Sequence, residues 1–364
     1  MLLTNFTRRF LLLATAMAPF AVAAAPASTG AVYTMSNDAT ANQVVAYPRY
    51  ADGSLGTGVW YMTGGQGSGS GLGSQGAVLM SPDEQFLFNV NAGSDSITSW
   101  QLLSTGLRRI GSYPSMGTHP VSLTMNGSEL FVLNQGSDSI QGFVVSATGT
   151  LTAVPSGWAA LSGTGVAGAQ ISFTSLGNVL VVTEKNSNNI VTYRVGANGA
   201  PVGMKVTPSS GMTPFGFAVG QRNTIYVSEA AGGAAGAGTV SSYKINADGT
   251  VSVITGSLAN TQSAPCWVAM VDGGRMALIA NTGSSTVSAM SAGFNGALAL
   301  TDAMAAVVSS GAIDIASSNN GRFAYVLQNG GSLNGFGVML DGTLAPIPSG
   351  IVGLAPSVGG LAAR

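Results

Sequence analysis

Three side chains in this sequence could move the protons that hydrolytic chemistry needs. Glu184 ends the run LVVTE, Glu229 ends the run IYVSE, and His119 is the single histidine. In a chain with only 14 acidic residues, two carboxylates at matching ends of two β-type runs form a candidate acid/base or cation-binding pair. Held close together, like charges would raise the pKa of one member. Lys185 follows Glu184 and is placed either to neutralise it or to face a ligand. His119 stands before Pro120, where an imidazole either assists proton transfer or caps a turn. One histidine excludes a three-His zinc site and leaves a Ser-His-Asp triad only through His119. No P-loop, CxxC, HExxH or EF-hand pattern occurs, so no metal and no cofactor is expected. GLGSQG (71–76) fits G-x-G-x-x-G, but a strand follows where nucleotide binding needs a helix N-terminus.

The elements that must position these residues are repeats. Seven short β-type runs end in a polar residue: VYTMS, LFNVN, LFVLN, LVVTE, IYVSE, ALIAN and AYVLQ. They recur about every 49 residues between Ser36 and Gln328. A second series of seven, of the ADGSL and ATGTL kind, runs in phase and carries hairpin-turn chemistry. A third series of buried strands precedes the runs, as in HPVSLTM, TPFGFAV and APCWVAM. The first unit lacks that preceding strand, and APSVGGLAA (355–363) has the right shape to supply it. Four short strands per unit predict an all-β, seven-bladed β-propeller whose C-terminal strand closes the first blade. A β-helix or a two-sheet sandwich is the competing architecture.

In a propeller, the start of each inner strand and the end of the next strand share one rim. The residues expected at that mouth are therefore Asn91, Asn134, Glu184, Lys185, Glu229, Asn281 and Gln328, with His119, Phe215, Cys266 and Trp267 from the inner-strand starts. The asparagines also have a plain structural use, bonding their own turns. TGGQGSGSGLGSQG (63–76) and AAGGAAGAG (230–238) fall on the same rim, where they either cover the mouth or span it. Cys266 is the only cysteine, so no intramolecular disulfide forms, and its uncharged neighbours favour a packing role.

Composition narrows the partners. Charged residues make up 7% and the net charge is −1, so no basic face exists to neutralise phosphates, and nucleic acid is excluded as a partner. Residues 1–27 read as a cleaved secretory signal, with Arg8 and Arg9 before an apolar stretch and A-x-A sites at 21–23 and 25–27. The stretch is short for a spanning helix and contains Pro19, so no membrane association is expected after cleavage. The expected product is a periplasmic or secreted monomer, residues 28–364, in one domain. General secretory and twin-arginine export both remain open.

TEKNSNNIVTYRVGANG (183–199), TPFGFAVGQRNTIYVSEA (213–230) and GGRMALIANTGSSTVSAM (273–290) resemble the seven-bladed β-propeller lactonases, which include 6-phosphogluconolactonase-like and muconate lactonising enzyme-like proteins. The resemblance spans about residues 31–364. It implies a cleft at the channel mouth where Arg, His and Glu handle a lactone. Many relatives carry Arg-His after the inner-strand proline, followed by a strand ending in Glu. Glu229 matches that glutamate, whereas the Arg-His position is Phe215-Gly216. Phe cannot grip a phosphate or carboxylate as Arg does, and Gly cannot transfer a proton. Arg222 and Arg275 fall in turns on the opposite rim. Two functions follow. One is hydrolysis or isomerisation of a small-molecule lactone, with Glu229 and Glu184 as base, His119 assisting, and Lys185 or backbone N–H groups as oxyanion partners. The other is a non-catalytic extracytoplasmic propeller that binds a protein, glycan or small molecule through the same rim.

Overall fold

The computed structural model describes residues 27–339, 341–348 and 350–364. Residues 1–26, most of the expected signal segment, lie outside the described residues. Seven four-stranded sheets follow one another along the chain. Their inner strands, in ring order from the first blade, are Gly359–Ala363, Val78–Met80, Pro120–Asn126, Gly168–Phe173, Pro214–Val219, Pro265–Val271 and Ala312–Ser317. Each packs against the next, and the last packs against the first, which closes the ring. The chain closes its own first blade: Val32 lies opposite Ala363 and Thr34 opposite Leu361, antiparallel.

The apolar runs become the second strand of each blade. Phe86–Asn91, Val179–Glu184, Thr224–Glu229, Met276–Asn281 and Phe323–Gln328 are buried at every position. Neighbouring blades cover both faces of these strands, so they read as continuous apolar runs rather than alternating ones. The outer strands are different. Pro201–Pro208 and Val251–Ala259 are mostly half-buried or exposed. Their free edges are broken by register shifts against the third strand, which blunt edge-to-edge pairing. The outer hairpins need glycine: Gly149 and Gly249 sit at φ 81° and 87°, a region L side chains avoid. Arg222 and Arg275 lie in or beside the turns between first and second strands, on the rim opposite the candidate mouth. Among the described residues, no helix is long and apolar enough to cross a membrane.

Candidate functional site

Glu184 and Glu229 end equivalent strands in the fourth and fifth blades, as the repeat predicts, and both are fully buried. Each carboxylate sits in its own nest of donors. Glu229 Oε1 accepts from Ser209 Oγ (2.9 Å), Gly211 N (2.8 Å), Ser241 Oγ (2.7 Å) and Tyr243 OH (3.1 Å), and Oε2 accepts from Thr239 Oγ1 (2.6 Å). Glu184 accepts from Ser162 N (2.9 Å), Ser162 Oγ and Ser187 Oγ (2.6 Å). Every carboxylate oxygen is engaged by protein donors. Ser162, Ser209 and Gly211 belong to the crossings that arrive from the preceding blade.

The other strand ends do the same work. Asn134 Nδ2 donates to Ser115 O, Asn281 Oδ1 accepts from Asn260 Nδ2, and Gln328 Oε1 accepts from Ser309 N. Asn91 accepts from Asn42 Nδ2 of the first blade and donates to Ser96 and Thr98. Asn91, Asn134, Asn281 and Gln328 are all fully buried. The ring expected around an open mouth is thus a set of latches, each tying one blade to its neighbour. His119 is half-buried at the start of the third inner strand, in the left-handed region at φ 52°, and its backbone N–H donates to Asp95 Oδ1 at 2.7 Å.

The mouth itself is filled by the chain. The crossing from the first to the second blade spans residues 63–77, whereas other crossings, such as 115–119 and 209–213, are far shorter. Its end runs across the channel axis. Gly73 O accepts from Lys185 Nζ at 2.6 Å, and Ser74 O accepts from Trp267 Nε1 at 2.8 Å. Ser74 Oγ donates to Val121 O, and Ser122 Oγ donates to Gln75 O. Gln75 N donates to Ala169 O at 3.2 Å, and its side chain reaches Val268 in the sixth blade. A Cβ on Gly216 would lie 2.2 Å from Gln75 Oε1, so glycine at that position makes room for Gln75.

Lys185, Phe215, Cys266 and Trp267 do converge here. The Lys185 ammonium lies 4.8 Å from the Phe215 ring centre, and Phe215 packs on Trp267 with centroids 5.1 Å apart. Burial disfavours the ammonium and lowers the Lys185 pKa to about 8. Burial also raises the Cys266 thiol to about 11, against smaller opposing effects of a hydrogen bond to Thr282 and the Lys185 charge. The cysteine is therefore a protonated packing group. Below Gln75 the channel continues as a cavity of about 380 Å³ lined by uncharged inner-strand residues such as Leu123, Ile171 and Ile315. Among the described residues, no three His, Cys, Asp or Glu side chains converge as a metal set. Gly73, Ser74 and Gln75 were not separable by residue type. The length of their crossing and the glycine at 216 are the sequence signals that point to them.

The model of the family "Lactonase, 7-bladed beta-propeller" matches residues 30–167 and 218–314. No curated protein matches the sequence. Among solved structures, a periplasmic gluconolactonase from Pseudomonas aeruginosa is 19% identical with a TM-score of 0.67, covering 91% of this chain and 99% of that one. A protein from Bacteroides fragilis assigned as a 6-phosphogluconolactonase is 15% identical with a TM-score of 0.69, covering 92% and 98%. A protein from Lactobacillus plantarum is 14% identical with a TM-score of 0.76, covering 92% and 99%. These likenesses extend the shared fold over nearly the whole propeller, whereas the family match leaves out residues 168–217, which carry Glu184, Lys185 and Phe215. On that match, the chain belongs to the seven-bladed β-propeller lactonase family.

Proposed function

We propose that this protein acts on a small lactone outside the cytoplasm, at the channel mouth, with Lys185 and Trp267 as a carbonyl-binding pair in place of an Arg-His pair. Family membership supports lactone-directed chemistry in general. The observation that carries the finer reading is that a half-buried ammonium and a buried indole N–H converge at the mouth, and each spends a hydrogen on a carbonyl oxygen, at 2.6 and 2.8 Å. The Trp267 N–H held there stabilises the oxyanion that forms when water adds to a lactone carbonyl, while the Lys185 ammonium holds a second carbonyl of the ligand. The water gives a proton to solvent, the ring C–O bond breaks, the ring oxygen takes a proton back from solvent to become a hydroxyl, and the product is a hydroxy acid. Glu184 and Glu229 hold crossings and take no proton in this scheme. The rate therefore rests on electrostatic stabilisation without a dedicated general base, and a slow enzyme is expected. The signal-like first residues and the likeness to a periplasmic gluconolactonase support the extracytoplasmic setting.

A second reading, a non-catalytic binding propeller, is favoured by a different observation: the mouth is occupied by residues 72–76, and both glutamates are fully engaged. Hydrolysis of a panel of sugar, muconate and acyl lactones by the purified mature protein separates the two. A rate above spontaneous opening that falls at least tenfold in Lys185→Met, with folding retained, supports the enzyme. A flat panel retires it in favour of the binding propeller.

A further inference from the structure

Lys185 and Trp267 address two consecutive carbonyls of one peptide, Gly73 C=O and Ser74 C=O. Between those carbonyl carbons lie one amide nitrogen and one Cα. A lactone bearing an acylamino group on the carbon next to its carbonyl has the same order of atoms: acyl C=O, N–H, carbon, ring C=O. We propose that residues 72–76 are an internal pseudo-substrate, that they keep the site latent, and that the lactone which replaces them is an α-acylamino lactone. The inference rests on the reading of Lys185 and Trp267 as carbonyl donors.

The matching atoms assign the roles. Lys185 takes the acyl carbonyl, where Gly73 O now lies. Trp267 takes the ring carbonyl, where Ser74 O now lies. The Phe215 ring beside Lys185, packed on Trp267, offers an apolar wall for the ring and the first acyl carbons. An acylamino lactone carries no charge, which suits a site without the arginine that a phosphorylated or carboxylated lactone needs. The lock is Gln75. Its side-chain amide bonds both the C=O and the N–H of Val268, and its backbone is held by Ala169 and Ser122. Glycines mark both ends of the strap: Gly71, just before it, has open space where a side chain would stand, and Gly76, its last residue, sits at φ 85°. A ligand opens the mouth only by binding the open form better than the closed one.

The test uses the whole mature protein and Gln75→Ala, with Gln75→Glu as a second variant that keeps an acceptor and loses the donor. Two readouts are taken. One is acetylation of Lys185 by an N-hydroxysuccinimide ester, mapped by mass spectrometry with Lys205 and Lys244 as references. The other is hydrolysis of N-hexanoyl-α-amino-γ-butyrolactone against γ-butyrolactone and gluconolactone. The expected result is Lys185 labelling at least tenfold faster in either folded Gln75 variant, and turnover that rises at least tenfold for the acylamino lactone alone. Unchanged Lys185 labelling in both variants overturns the latch. Faster labelling with equal gain on all three lactones overturns the pseudo-substrate assignment. Faster labelling with no turnover of any lactone leaves the latch standing and sinks the catalytic reading on which the substrate class rests.

Discussion

Gln75 and Val268 belong to blades on different sides of the central channel, yet the Gln75 amide meets both polar groups of the Val268 backbone. Nε2 donates to the carbonyl at 2.8 Å, and Oε1 accepts from the N–H at 3.2 Å. In-line pairing of this kind normally joins neighbouring strands. Gln170 makes it between adjacent blades, donating to Phe217 O at 2.9 Å and accepting from Phe217 N at 2.6 Å. Here the same chemistry spans the axis and shuts the mouth.

Gly216→Ala tests that packing. The new methyl would lie 2.2 Å from Gln75 Oε1 and 2.6 Å from the Cys266 carbonyl oxygen. The backbone contact cannot yield as a side chain can, so a loss of about 1–3 kcal/mol is expected in urea unfolding. Lys185 acetylation should accelerate in the same variant. An unchanged midpoint and unchanged labelling would mean that Gln75 does not need the space.

Glu229→Ala should behave as a structural mutation. It strands donors on Ser209, Gly211, Thr239, Ser241 and Tyr243 that now share one carboxylate. Losing hydrogen bonds to a charged acceptor in a buried nest costs about 3 kcal/mol or more. Chemical denaturation measures it. Full stability together with a selective loss of turnover would return Glu229 to the chemistry.

Lys185 supplies a pH signature. Burial moves its pKa down to about 8, so the folded protein releases this proton earlier than an exposed lysine does. Binding that depends on the ammonium should weaken as pH rises through about 8, while the acetylation rate of Lys185 rises over the same range. A labelling midpoint near that of Lys205 would show that the burial has no such effect.

Asp314 supplies a signature in stability. It lies on the seventh inner strand beside the closing strand, is fully buried, and leaves Oδ2 without a hydrogen-bond partner. Burial raises its pKa well above the ordinary value, outweighing bonds from the Ile315 and Leu361 backbone. The unfolded chain releases this proton at ordinary carboxylate pH, whereas the folded chain keeps it. Stability should therefore fall as pH rises from about 4 toward neutrality. Asp314→Asn should flatten that slope and raise Tm at pH 7 by a few degrees. Parallel melting curves for both proteins from pH 4 to pH 8 would contradict it.

Deleting residues 355–364 removes the strand that pairs with Gly30–Met35 and exposes the first blade's inner edge. A cooperative transition should be lost or displaced by well over 10 °C, because about one seventh of the ring's inner wall goes with it. Equal melting of the truncated and full proteins would show that the blade closes another way.

Much of this architecture is legible in the sequence. The polar-ended runs, the in-phase hairpins and the missing strand of the first unit determined seven four-stranded blades and their closure by 359–363. Repetition makes such features local: each unit carries its own turn chemistry and its own apolar run. The type and rim of Glu184, Glu229 and the asparagines were also readable. Their roles were not, because each is set by a crossing that arrives from another blade. Ser209 and Gly211 become partners of Glu229 only when the fifth blade folds beneath them. Position along the repeat puts Lys185, Phe215, Cys266 and Trp267 on the rim, and their convergence around Gly73 and Ser74 needs the ring to close. Sequence by itself determined the ring, since local pattern repeats every blade. Tertiary structure alone decided what occupies its mouth, since that depends on contacts among residues nearly 200 positions apart, such as Gln75 and Val268.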